Sequence, residues 1–114
     1  MLIIYGIPNC DSCRKACAWL DSNGVKYRFH NLRKDGVETE LLQCWVKSAN
    51  WHNLLNRRSA TWRGLPESAR QKLDETKALA LMIEHPTLIK RPVTVSGKKI
   101  TVGFNEEVYR ELTS

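Results

Sequence analysis

The first thirty-one residues place the tightest constraint on the fold. "LIIYG" (2–6) is a short continuous apolar run closed by glycine, as expected of a strand buried on both faces. The spacing then predicts a helix over 11–22, where Cys13, Ala16, Cys17 and Leu20 recur at i, i+3, i+4 and i+7 and make one apolar stripe. "SNG" (22–24) stops that helix, with Gly24 expected in the left-handed position after the cap. In "VKYRFHN" (25–31), Val25, Tyr27 and Phe29 alternate with Lys26, Arg28 and His30, the period of a half-buried strand. A strand, a helix and a second strand in that order are expected to form a parallel pair joined by a crossover.

Further along, "RKDG" (33–36) reads as a turn and 38–49 as a helix with Leu41, Leu42, Trp45, Val46 and Ala49 on one side. The stretch 51–75 is less regular. It is expected to hold a short helix around Leu54 and a second one with Pro66 at its first position. "TKALALMIEH" (76–85) is an apolar helix ended by Pro86, and "RPVTVS" with "KKITVGF" reads as a hairpin turning at Ser96–Gly97. Asn105 is placed to cap a last helix, "EEVYRELT". With no repeat, low-complexity segment or linker, one domain is expected over 1–114. Its class is α/β: β-α-β, a helical block over about 38–85, then β-β-α. The order resembles the thioredoxin-like fold with helices inserted between its halves.

A chain of 114 residues can bury roughly two thirds of its unfolded surface, enough for a core without disulfide staples. No apolar run approaches the ~20 residues of a membrane span, and "MLIIYGIPNC" lacks the basic lead and long apolar stretch of a secretory signal. The expected location is the cytoplasm. Cysteines there rest reduced, so Cys-x-x-Cys points to catalysis or metal binding rather than to a structural bridge. A net charge of +6 favours anionic partners without choosing among oxyanions, glutathione, nucleic acid and an acidic protein face.

Those two cysteines are Cys10 and Cys13 in "IPNCDSCRKA". A thiol at the start of a helix faces unpaired N–H groups and the positive end of the helix dipole, which favours the thiolate. Cys10 has that position, and Arg14 and Lys15 add positive charge in the same turn. Cys10 is therefore the candidate nucleophile and Arg14 a candidate catalytic helper. Cys13, one turn on and on the inward stripe, is the candidate resolving thiol, with core packing as its rival role. Core packing accounts for Cys17, and nothing marks Cys44. Zinc would require about four ligands, and His30, His52, His85 and Cys44 are scattered singly, so no metal site is expected.

A second signal is "IKRPVTV" (89–95). A proline opening a strand makes Arg91–Pro92 a candidate cis bond. That geometry would set Arg91 opposite the Cys10 turn, where its guanidinium could meet an anionic sulfur or substrate.

"IYGIPNCD" with "CRKA", "YRFHNLRKDG", "LLNRR" followed by "TWR", "ALALMIEHP", "IKRPV" and "VGF" together resemble the arsenate reductase (ArsC)/Spx family, in its YffB-like branch. The resemblance runs nearly end to end. It implies a nucleophile at Cys10, with glutathione as co-substrate or a glutaredoxin completing the cycle. It also implies arginines that hold an anion: Arg91 beside Pro92, and one from the Arg57–Arg58 segment, with Arg58 preferred. The place of a third such arginine holds Gly103, which argues against arsenate as substrate. Spx-type members carry Cys-x-x-Cys as a redox switch and bind the C-terminal domain of the RNA polymerase α subunit. The glycine of their binding surface corresponds here to Asn50.

The leading reading is a monomeric glutathione-dependent thiol–disulfide reductase. The alternative is an Spx-like regulator switched by a Cys10–Cys13 disulfide, and a true arsenate reductase ranks behind both. The mixture of Trp51, Trp62, Arg57, Arg58 and Arg63 could contact nucleic acid, but no recognisable motif accompanies it, so no direct nucleic-acid partner is expected.

Overall fold

Strand β1 (Leu2–Gly6) pairs in parallel with β2 (Tyr27–Asn31), from Leu2 opposite Tyr27 to Gly6 opposite Asn31. On its other side it runs antiparallel to β3 (Val93–Ser96), with Leu2 opposite Ser96 and Tyr5 opposite Val93. Strand β4 (Lys99–Val102) completes the hairpin and a four-stranded sheet of order β2-β1-β3-β4. The computed structural model describes residues 2–114. These group into two compact units, one running to Asp35 and resuming over Arg91–Ser114, the other spanning Gly36–Lys90. The helical block expected over 38–85 corresponds to the second unit.

In the first unit, helix α1 (Asp11–Ser22) follows β1 and buries Cys13, Ala16 and Leu20 of the stripe that the spacing predicts, while Cys17 is half-buried. Gly24 follows with φ +66°, the left-handed conformation that ends the helix with least strain in glycine. Leu2, Ile4, Ala16, Leu20 and Tyr109 form the core cluster. Tyr109 comes from helix α8 (Glu106–Thr113), whose first N–H groups are capped by the Asn105 side chain. Its ring meets Trp19 and Phe104 edge-on at centroid distances of 5.7 and 5.0 Å, and its hydroxyl shares a 2.6 Å hydrogen bond with the buried Thr94 hydroxyl. That hydrogen bond satisfies both hydroxyls inside this cluster.

Two local expectations in this unit differ from the structure. The second strand begins at Tyr27 rather than Val25. The "RKDG" segment is a helical turn, α2 (Leu32–Asp35), because the Asn31 side chain accepts the N–H groups of Arg33 and Lys34 as a cap.

The second unit packs α3 (Thr39–Ala49), α4 (Trp51–Leu54) and α7 (Glu75–Glu84) around Leu42, Trp45, Val46, Leu54, Ala78, Leu81 and Met82. Pro86 ends α7 and opens a short 3-10 turn, Pro86–Leu88. Leu55 pairs with Ile89 in an antiparallel bridge, reinforced by Asn56 N–H to the Leu88 carbonyl and Lys90 N–H to the Leu54 carbonyl, both at 2.7 Å. Helix α5 (Ala60–Arg63) escapes the periodicity and is started by Ser59, whose hydroxyl accepts the Trp62 N–H. Pro66 is the N-cap of α6 (Glu67–Arg70) and not its first residue. That helix lasts one turn, since the Lys77 ammonium binds the Ser68 and Gln71 carbonyls and Lys72 turns left-handed with φ +52°. No helix among the described residues is long and apolar enough to cross a membrane.

Candidate active site

Cys10 is the N-cap of α1, with extended backbone (φ −109°, ψ 127°), and is half-buried. Its sulfur does not meet strict N-cap hydrogen-bond geometry. It nonetheless faces the open first turn, and the balance of forces there favours the thiolate. Partial burial alone would raise the pKa of the thiol. The Cys13 N–H, the Cys13 thiol, the Ser12 N–H and the charge of Arg91 together outweigh it, so the pKa lies below the ordinary thiol value.

Cys13 is the opposite case. It is 1% exposed, and burial is the main force pushing its pKa up to about 12, opposed by the Ile7 N–H and reinforced by the neighbouring Cys10. At neutral pH it is a thiol, and its S–H is available to the Cys10 sulfur. The surroundings therefore push the two thiols in opposite directions, Cys10 toward the thiolate and Cys13 toward the protonated form, and no disulfide joins them in this structure.

The space for Cys13 comes from Gly6. Leu2, Ile4 and Gly6 share one face of β1 by the two-residue period, and the third of them has no side chain. A β-carbon at Gly6 would overlap the Cys13 sulfur. Sequence reasoning used Gly6 only to end the strand. The available signal was that the inward-facing positions of β1 finish on glycine seven residues ahead of an inward-facing cysteine.

Arg91 and Pro92 reach the site through sheet register. Tyr5 lies opposite Val93, so the residues just before β3 run alongside those just after β1. The Arg91–Pro92 bond is cis, Pro92 is buried, and its carbonyl accepts the Gly103 N–H at 2.8 Å. Arg14 is turned differently: its Nε donates to the Pro8 carbonyl at 3.3 Å and its Nη1 lies 3.5 Å from the Asp11 carboxylate. The guanidinium acting on the Cys10 charge is that of Arg91, and Arg14 braces the loop that carries Cys10.

Cys10, Cys13, Arg14, Arg91 and Pro92 thus all belong to the first unit. Arg58 belongs to the second. It is exposed on the turn after Asn56, whose side chain accepts the Arg58 N–H at 3.0 Å, while its own carbonyl accepts from Arg63 Nη1 at 2.7 Å. Arg57 lies over the Trp62 ring, 5.7 Å from its centroid. Among the described residues no group of three or more His, Cys, Asp or Glu side chains is arranged to hold a metal ion.

A β-α-β…β-β-α sheet with a cysteine heading the first helix and a cis-proline opening the third strand defines a thioredoxin-like protein. Within that class the chain belongs to the ArsC family, whose model matches residues 5–112. An uncharacterized protein of Haemophilus influenzae is 41% identical over 110 residues, 96% of each chain. The global transcriptional regulator Spx 1 of Lactococcus lactis is 33% identical over 112 residues, 96% of this chain and 87% of the other. Among solved structures, one described as the YFFB protein superposes with a TM-score of 0.96 at 38% identity over all of both chains. An arsenate reductase (ArsC) related protein from Brucella melitensis gives 0.76 at 41% identity, covering 96% of this chain and 92% of that one.

Proposed function

We propose that this protein is a cytoplasmic, glutathione-dependent thiol–disulfide reductase with Cys10 as its nucleophile. The observation that carries the reading is the Cys10 sulfur: half-buried at the head of α1, held below the ordinary thiol pKa, and flanked by a protonated partner and a guanidinium. Its thiolate attacks a disulfide R–S–S–R′, forming Cys10–S–S–R and releasing R′–S⁻, which takes a proton from water. A glutathione or glutaredoxin thiolate then attacks the R sulfur, and Cys10 departs as thiolate. A low leaving-group pKa speeds that second step. Cys13, protonated and buried, serves better as a hydrogen-bond donor to Cys10 than as the attacking thiol. Arg91 supplies charge for the anionic groups of glutathione.

Turnover of a small disulfide by glutathione, measured for wild type, Cys10→Ser and Cys13→Ser, tests the scheme. Cys10→Ser abolishes turnover and Cys13→Ser only slows it. A fully active Cys10→Ser protein ends the proposal. The resemblance assigns a second anion contact to Arg58, read separately as a raised KM for glutathione in Arg58→Gln.

A second reading, an Spx-like regulator, is favoured by the Spx relatives and by Asn50. Asn50 takes φ +72° where the resemblance implies glycine, and its side chain accepts the His52 N–H. The loop thus keeps a backbone shape that suits glycine while carrying a side chain. A pull-down with the RNA polymerase α C-terminal domain, oxidised against reduced, separates the readings, and no capture in either state removes this one. Arsenate reduction ranks behind both. Gly103, at the place of a third arginine, has φ +83°, a conformation that penalises any side chain.

A further inference from the structure

A groove of about 280 Å³ opens beside the Cys10 loop, lined by Ile7, Pro8, Cys13, Arg14, Cys17 and Phe29. Its walls are the loop that follows β1 (Ile7 and Pro8), one side of the first two turns of α1, and Phe29 of β2. Apart from Arg14, these are hydrocarbon, aromatic and sulfur surfaces. Cys17 adds no free nucleophile, because burial raises its pKa and its thiol is engaged with the Tyr27 hydroxyl. Cys13 belongs both to the groove and to the Cys10 sulfur's surroundings. Cys13 is thus the residue that links the groove to the nucleophile.

Two features define what fits. The apolar lining gains from a hydrocarbon chain, and glutathione, with two carboxylates and an ammonium, has little to offer it. The one charged side chain of the lining, Arg14, is a cation on the exposed rim: its side chain is 62% accessible, its Nε holds the Pro8 carbonyl, and its Nη1 has the solvent-exposed Asp11 carboxylate as ion-pair partner. Exposed pairs of that kind hold weakly, so the Arg14 guanidinium can take up another anion. With a water-sized group needing roughly 30 Å³, the volume suits a short chain ending in a carboxylate.

We infer that this groove binds the aliphatic arm of a small disulfide bearing a terminal carboxylate, with its sulfur at Cys10 and its carboxylate at Arg14. The inference rests on the reductase reading and narrows its substrate class. The chemistry keeps the same balance. The Cys10 thiolate attacks one sulfur of a symmetric ω-mercapto acid disulfide, one mercapto acid leaves as thiolate and takes a proton from water, and the other stays bonded to Cys10 with its chain in the groove. A glutathione-class thiol then takes that chain as a mixed disulfide and frees Cys10.

The test is a chain-length series of such disulfides, from three to seven carbons, with the rate of mixed-disulfide formation on the full-length protein followed by mass spectrometry and divided by the rate with free glutathione thiolate. Burying a methylene is worth about fourfold, from ~0.8 kcal/mol each. The normalised rate should climb by roughly that factor per carbon and then level off as the groove fills. The matching ω-mercapto alcohol series should climb less, for want of the carboxylate. A binding readout stands apart from reactivity: titration of Cys10→Ser with hexanoate, followed by the NMR signals of Ile7, Cys17 and Phe29, should saturate, and more weakly in Arg14→Gln. A flat length series from a reactive Cys10, or no hexanoate response at these residues, overturns the groove assignment while leaving the reductase reading in place. An unreactive Cys10 with saturable hexanoate binding overturns the reductase reading and retains the groove.

Discussion

The Cys13 sulfur fills the space beside Gly6 that a β-carbon at position 6 would occupy. The sheet thereby holds Cys13 buried and protonated beside Cys10. Gly6→Ala should force the two elements apart and cost about 1–3 kcal/mol, the range for inserting a methyl group into a packed core. Urea denaturation measures it. The double variant Gly6→Ala/Cys13→Ala should recover most of the loss, and an unperturbed single variant would contradict the close approach.

The pH dependence of Cys10 alkylation reads its ionisation directly. Its midpoint should lie below that of an ordinary cysteine, because the first-turn amides, the Cys13 thiol and Arg91 all favour the thiolate. Arg91→Gln and Cys13→Ala should each move the midpoint upward. An Arg91→Gln profile superposable on wild type would remove Arg91 from the site.

Stability should depend on pH through Cys13 with a definite sign. Its folded-state pKa is raised to about 12, so between the unfolded value of about 8.5 and about 12 the native state keeps a proton that the unfolded chain has released. The contribution is complete below that window and is lost as pH rises through it. Denaturation midpoints of wild type should therefore fall faster across alkaline pH than those of Cys13→Ala. Parallel curves would show that Cys13 titrates alike in both states.

Asn50 offers a test in the second unit. It combines φ +72° with a side-chain bond to the His52 N–H. Asn50→Ala keeps the backbone strain and loses the cap, an expected cost of about 1–2 kcal/mol. Asn50→Gly loses the cap and relieves the strain, so its midpoint should lie close to wild type. Equal losses in both variants would assign the whole effect to the cap.

Much of the molecule is legible in its residues because the signals are local. The apolar run of β1, the stripe of α1, Gly24 after it and Asn105 before α8 each act within one or two turns of chain. They appear where periodicity and capping place them. The middle of the chain was less legible for an equally physical reason. Helix α5 depends on a single hydroxyl cap at Ser59, and α6 is cut short by a lysine seven residues beyond its end that binds the carbonyls of Ser68 and Gln71. Neither leaves a periodic trace.

The same division runs through the site. The residue order alone determined that a cysteine would head the first helix and that a second would turn inward one turn later, since both follow from 3.6 residues per turn. Only the tertiary structure decided which arginine acts on the first sulfur and why the second stays protonated. Charge and desolvation depend on distance in space, and it is the pairing of β1 with β3, across some ninety residues of chain, that brings Arg91 to Cys10. The bare face of Gly6 does the rest by letting Cys13 sink beyond the reach of water.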